Sequence, residues 1–121
     1  MRTSSKKVNR NLAKQIGRLL YNVIADIHDP KEAELFLGVF LTKVELEALT
    51  KRLAIAYWLS KGRHYDNIKT NLAVSSTTVA TMAGQIKKKK GLQLAIKKIS
   101  ADEWADQWAD KIGHFMKLGH K

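Results

Sequence analysis

The stretch "HYDNIKTNLAVSSTTVATM", residues 64–82, decides how the rest of the chain is read. Ile68 and Leu72 lie four apart, which predicts one apolar face of a brief helix. "AV" at 73–74 turns the chain, and Ser75 is the expected N-cap of a second helix that starts near Ser76. A short helix, a tight turn and a second helix are the parts of a DNA-binding helix-turn-helix. Two such helices cross closely only if apolar residues meet at fixed offsets. Ile68, Leu72, Val74, Val79 and Met82 satisfy that demand. The plainer alternative is an ordinary helical hairpin whose second helix opens with capping residues. Two positions set conditions on the motif. Ala73 stands where a turn of this kind usually has glycine, so it must accept the backbone twist. Lys69 stands where a small residue is common, so its stem must lie sideways.

Residues 71–82 contain no acid, no base and no aromatic ring. Ser76, Thr77, Thr78, Ala80 and Thr81 are expected to face outward at the start of the second helix, with Ser75 capping it. Small hydroxyl side chains there suit close approach to a major groove, where they exchange hydrogen bonds with phosphates or base edges. The free N–H groups of a helix N-terminus favour a phosphate as well. Arg63 and the run Lys87, Lys88, Lys89 and Lys90 would supply salt-dependent phosphate attraction. The lysine run also reads as a solvated helix end, since cations near a helix C-terminus are favourable in any case.

Charge placement around this stretch agrees. The net charge is +11, yet residues 1–20 hold six bases and no acids, and residues 63–99 hold eight bases and one acid. The intervening block and the C-terminus are close to neutral. Two basic blocks imply a directed positive face and a polyanionic partner, with double-stranded DNA the expected one. At 121 residues, 45% of them apolar, the chain is long enough for one folded domain with a modest core. Zero cysteines exclude disulfides and thiolate metal sites and fit a cytoplasmic protein. No apolar run nears the roughly 18 residues of a membrane span, and no secretory leader is expected.

One proline and long helix-favouring runs predict an all-α protein. After a basic arm at 1–7, Leu12, Ile16, Leu19, Leu20, Val23, Ile24 and Ile27 form a helical stripe. A second helix opens at "DPKE", with Asp29 as N-cap and Pro30 at the first position. Thr42 and Glu45 are spaced as a capping box for a long third helix, which Gly62 should end. Its expected apolar face is Leu46, Leu49, Leu53, Ala56 and Leu59. The helix-turn-helix occupies about 64–86 of a helical domain at 8–99, with its second helix ending before Gly91. "LQLAIKKI" gives a short amphipathic helix, and Ser100 with Glu103 forms a second capping box opening a C-terminal helix over 100–121. Trp104, Trp108, Ile112 and Phe115 line one face of that extension. Core or dimer packing explains them better than a lipid surface, because Asp102, Asp106 and Asp110 lie opposite. The four histidines lack metal-ligand spacing, and no Walker loop, nucleophile elbow or paired-carboxylate site occurs. No catalytic residue, metal or cofactor is expected.

Residues 40–82, "FLTKVELEALTKRLAIAYWLSKGRHYDNIKTNLAVSSTTVATM", resemble the Trp repressor superfamily. "LT", "E.EAL..R", "G..Y..I" and "S.TTV" carry the likeness, which extends over about 20–85 and is nearest to the Trp repressor-related proteins of unknown function. The resemblance implies an all-α homodimer with interlocked N-terminal helices and two helix-turn-helix units, set for half-sites about 34–36 Å apart. The apolar stripes at 16–27 and 35–41 agree with burial between subunits. The family's DNA contacts match Asn67, Lys69, Ser76, Thr77, Thr78 and Ala80. Its co-repressor pocket uses a threonine and an arginine matching Thr42 and Arg52, and a stacking arginine whose place is taken here by Thr81. Threonine can neither stack on an indole nor hold a carboxylate by a two-pronged fork. The resulting expectation is a dimeric, sequence-specific regulator of transcription, a repressor, with no tryptophan response and an unknown effector. Two alternatives stand beside it: an architectural DNA-binding protein without a defined operator, and a protein-interaction module built on the tryptophan-bearing C-terminal helix.

Overall fold

The structure is a computed structural model that describes residues 6–103. The described residues are helical and contain no strand. Five helices run in order: α1 (Arg10–Asp26), α2 (Pro30–Phe40), α3 (Lys43–Ser60), α4 (Tyr65–Leu72) and α5 (Ser76–Ile86). A sixth, α6, covers residues 90–103. Compactness divides the chain into two units, Met1–Leu46 and Glu47–Lys121.

In the first unit, local capping fixes each helix start. Asn9 Oδ1 accepts from the Asn11 N–H at 2.9 Å and opens α1. Asp29 Oδ1 accepts from Lys31 N–H at 2.9 Å, with Pro30 at the first position of α2. The capping box forms as read: Thr42 Oγ1 accepts from the Glu45 N–H at 3.1 Å, and Glu45 Oε1 accepts from the Thr42 N–H at 2.8 Å. Accepting that backbone N–H holds the Glu45 carboxyl below its ordinary pKa. Neither α1 nor α2 buries a single residue. The α1 stripe lies open, with Leu19 at 66% exposure, and Val39 of α2 reaches 81%. Val23, Ile27, Leu35, Phe36 and Phe40 line a hollow of about 400 Å³, where the Phe36 and Phe40 rings lie 4.8 Å apart.

The second unit has the core. Ile55, Ala56, Ile68, Val79 and Met82 are buried, with Trp58, Leu59, Leu72, Val74, Ile86, Leu92 and Ile96 packed around them. Of the expected α3 face, Ala56 is buried and Leu59 packs against the core, and Ile55 joins them, whereas Leu49 and Leu53 are 45% and 40% exposed. Apolar side chains surround α3 on more than one side, so periodicity alone did not single out the buried one.

α5 stops at Ile86, before Gly91 as expected, and residues 87–89 form a turn. Gly91 lies inside α6 rather than closing α5. The Gln93 side-chain amide explains the stop: it donates to the carbonyls of Ile86 at 3.0 Å and Lys87 at 3.3 Å, so no glycine cap is needed. The capping box at Ser100 does not form, because α6 continues through it. The apolar rhythm Leu92, Ile96, Ile99 runs on without a breaker, and Glu103 has other partners. Its carboxylate accepts from the Tyr57 hydroxyl and pairs with Lys61 Nζ at 3.1 Å. These contacts lower the Glu103 pKa, chiefly through Tyr57, and raise those of Tyr57 and Lys61, chiefly through Glu103. The tryptophan-bearing face from 104 onward, and the N-terminal arm before residue 6, lie outside the described residues.

Candidate nucleic-acid interface

The turn between α4 and α5 starts from one strained residue. Ala73 is left-handed, at φ 53 and ψ 53, and is the sole non-glycine with positive φ among the described residues. That twist lets the backbone N–H of Ala73 and that of Val74, at 3.2 Å, both donate to the Lys69 carbonyl and close α4. The chain then reverses, and Val79 and Met82 of α5 lie in the same core cluster as Ile68 of α4. Leu72 and Val74 flank the crossing half-buried. Lys69 is exposed, so its stem does lie out of the helix contact.

Ser75 caps α5: its Oγ accepts from the Thr78 N–H at 3.1 Å and lies 2.8 Å from Thr78 Oγ1. Two of the candidate hydroxyls thus belong to the cap. Ser76, Thr77, Ala80 and Thr81 are exposed on the same helix. Below it, Asn67 and Lys69 are exposed on α4, and the Asn67 carbonyl accepts from Asn71 Nδ2 at 2.9 Å. Lys87, Lys88 and Lys89 sit in the turn after α5, and Lys90 opens α6. The lysine run therefore lies at a helix N-terminus as well as a C-terminus, so the helix dipole does not explain all four.

Arg63 is held by its surroundings. Gly62, at φ 80, ends α3, with its N–H on the Leu59 carbonyl at 3.0 Å and the Arg63 N–H on the Trp58 carbonyl at 3.1 Å. This paired closure brings residue 63 back over residue 58. The Arg63 guanidinium lies 4.0 Å from the centre of the Trp58 ring, and its Nη1 donates to Asn67 Oδ1 at 3.3 Å. Trp58 was missed by sequence reasoning. The available signal was an aromatic residue five before an arginine, with glycine between them at the helix end.

Three hollows surround these elements. One of about 390 Å³ is lined by Arg52, Ser75, Thr77, Thr78, Thr81, Met82 and Gln85. It brings Arg52 to the recognition-helix hydroxyls, with a single cation and no aromatic ring on its walls. Arg52 makes no ion pair among the described residues. Thr42, the other expected pocket residue, is engaged in its capping box in the first unit. A second hollow, of about 340 Å³, has Arg63, Lys87, Ser60 and Tyr65 on its walls. A third, of about 560 Å³, is mainly apolar through Leu49, Leu53, Met82, Leu92 and Ala95, with Arg52, Lys89 and Lys90 at its edge. Among the described residues there is no group of acidic, histidine or cysteine side chains that could hold a metal ion, and no helix long and apolar enough to cross a membrane.

No curated protein and no solved structure matches the chain. The family model described as Trp repressor protein matches residues 16–98, from within α1 to within α6. With two-thirds of its length matched and an all-helical fold carrying a helix-turn-helix, the chain belongs to the Trp repressor family, whose members are DNA-binding regulators.

Proposed function

We propose that this chain is a homodimeric, sequence-specific double-stranded DNA-binding protein of the cytoplasm that represses transcription without responding to tryptophan. One observation carries the reading: exposed Ser76, Thr77, Ala80 and Thr81 lie on a helix anchored through buried Val79 and Met82, with cations on neighbouring turns. Anchoring fixes the helix rigidly, small side chains allow close approach, and the flanking Arg63 and lysines supply phosphate attraction. Dimerisation is supported by α1 and α2, which bury nothing, and by the apolar hollow beside Leu49 and Leu53. Apolar faces of this extent need cover. The indifference to tryptophan is supported by Thr81 beside Arg52, since one cation without a stacking partner gives an indole no sandwich.

Selection of bound sequences from a random duplex library tests the reading. A defined, two-fold symmetric motif with half-sites about one helical turn apart is expected. Binding that falls steeply with salt yet selects no motif would sink the operator reading in favour of an architectural protein, which the lysine-rich turn at 87–90 also suits. Added tryptophan should leave duplex affinity unchanged, and a large gain would refute the ligand part of the proposal.

A further inference from the structure

We propose that Trp58 is a positioning residue that holds the Arg63 guanidinium flat and ready for a backbone phosphate of bound DNA; the inference rests on the DNA-binding reading above. The closure of α3 around Gly62 is of the kind that usually brings two apolar side chains together, at the residue after glycine and at the one five positions before it. Here those residues are Arg63 and Trp58, and the apolar contact is replaced by a cation over a ring at 4.0 Å. Asn67, in the first turn of α4, then fixes the rotation of the guanidinium in its own plane by accepting from Nη1 at 3.3 Å.

This arrangement uses little of the arginine's donor capacity. Stacking occupies the face and consumes no N–H, and Asn67 takes one of five donors. The in-plane edges remain suited to the paired oxygens of a phosphate. An unheld arginine would surrender its side-chain freedom on binding DNA, whereas this one has surrendered much of it on folding. Lys87 lines the same hollow of about 340 Å³, so a phosphate entering there meets two cations. The site lies at the entry to α4, away from the base-facing side chains of α5. It should therefore raise affinity for every sequence alike.

The test is a double-mutant cycle on the full chain, with duplex affinity measured against salt for wild type, Trp58→Leu, Arg63→Ala and both together. Trp58→Leu should weaken binding about 2- to 5-fold per bound subunit on all sequences, the range expected for an exposed cation over an aromatic face. It should leave the salt slope unchanged, because the charge remains. Arg63→Ala should lower the slope by about 0.9 per subunit, about 1.8 for the dimer, and in that background Trp58→Leu should have no further effect. The Arg63 Nε–H proton resonance should lie upfield in the free wild type and return to its ordinary position in Trp58→Leu. Because Trp58 also packs against the core, Trp58→Phe, which keeps a ring, serves as the second variant and should recover part of the affinity. An equal loss from Trp58→Leu with and without Arg63, or no loss at all, overturns the positioning role. A wild-type chain that shows the shifted resonance but binds no duplex at low salt overturns the DNA reading itself, and the phosphate role with it.

Discussion

Replacing Ala73 by glycine should stabilise the protein, although it removes a methyl group and loosens the unfolded chain. Ala73 sits at φ 53 and ψ 53, where its Cβ crowds the following carbonyl. For a residue with a side chain that conformation costs about 1–2 kcal/mol, and glycine adopts it without strain. Against this, glycine gives the unfolded chain more freedom to lose, about 0.4–1 kcal/mol. Ala73 is exposed, so deleting its methyl opens no cavity. The hydrogen bonds from residues 73 and 74 to the Lys69 carbonyl use backbone alone and survive the change. The balance is a gain of about 0.5–1 kcal/mol, or about 2–4 °C in Tm for a domain of this size. Thermal denaturation followed by circular dichroism measures it, at one protein concentration for both chains because the Tm of a dimer moves with concentration. Ala73→Val is the opposing control and should lower Tm, since a β-branched side chain tolerates positive φ least. If Ala73→Gly lowers Tm while Ala73→Val leaves it alone, the turn is not left-handed and the closure of α4 on Lys69 described above is wrong.

Other expectations follow from the caps and the charges. Thr42→Ala removes the side-chain half of the capping box on α3 and should cost about 1 kcal/mol, read from urea unfolding. Glu103 has a depressed pKa in the folded chain, so its contribution is present above its unfolded pKa and lost as pH falls through the folded one. Tyr57 and Lys61 have raised values, so theirs is present at neutral pH and lost as pH rises through the alkaline range. The link between α3 and α6 should accordingly be strongest near neutrality. Glu103→Gln should flatten part of the fall in Tm as pH drops through and below the ordinary carboxylate range, and an unchanged acid limb would show that the contact is immaterial. Lys88→Ala should weaken all duplexes alike and reduce the salt slope by about 0.9 per subunit, about 1.8 for the dimer. Thr77→Ala should relax base preference with little change in slope, as a repeated selection would show.

The sequence by itself determined most of the local structure. Asp29 with Pro30, Thr42 with Glu45, and Ser75 open helices where their spacing says they should, because an N-cap bond joins atoms two or three residues apart and needs nothing distant. The crossing of α4 and α5 was likewise legible, since Ile68, Val79 and Met82 are close in sequence and a single tight turn leaves them few ways to meet. Choices between competing partners were decided only by the tertiary structure. Ser100 and Glu103 spell a capping box, yet Tyr57 and Lys61, more than forty residues earlier, take the carboxylate, and α6 runs on. Leu49 and Leu53 share a period with Ala56, but the core takes Ala56 together with Ile55 and leaves the two leucines open. Gln93 reaches back to close α5, so Gly91 is not needed as a stop. The stacking of Arg63 on Trp58 required both the positive φ of Gly62 and the return of the chain into α4. Capping and turn chemistry act over a few residues and are written in order along the chain. Which of several apolar faces is buried, and which acid meets which base, depends on what the folded chain brings near, and no local spacing encodes it.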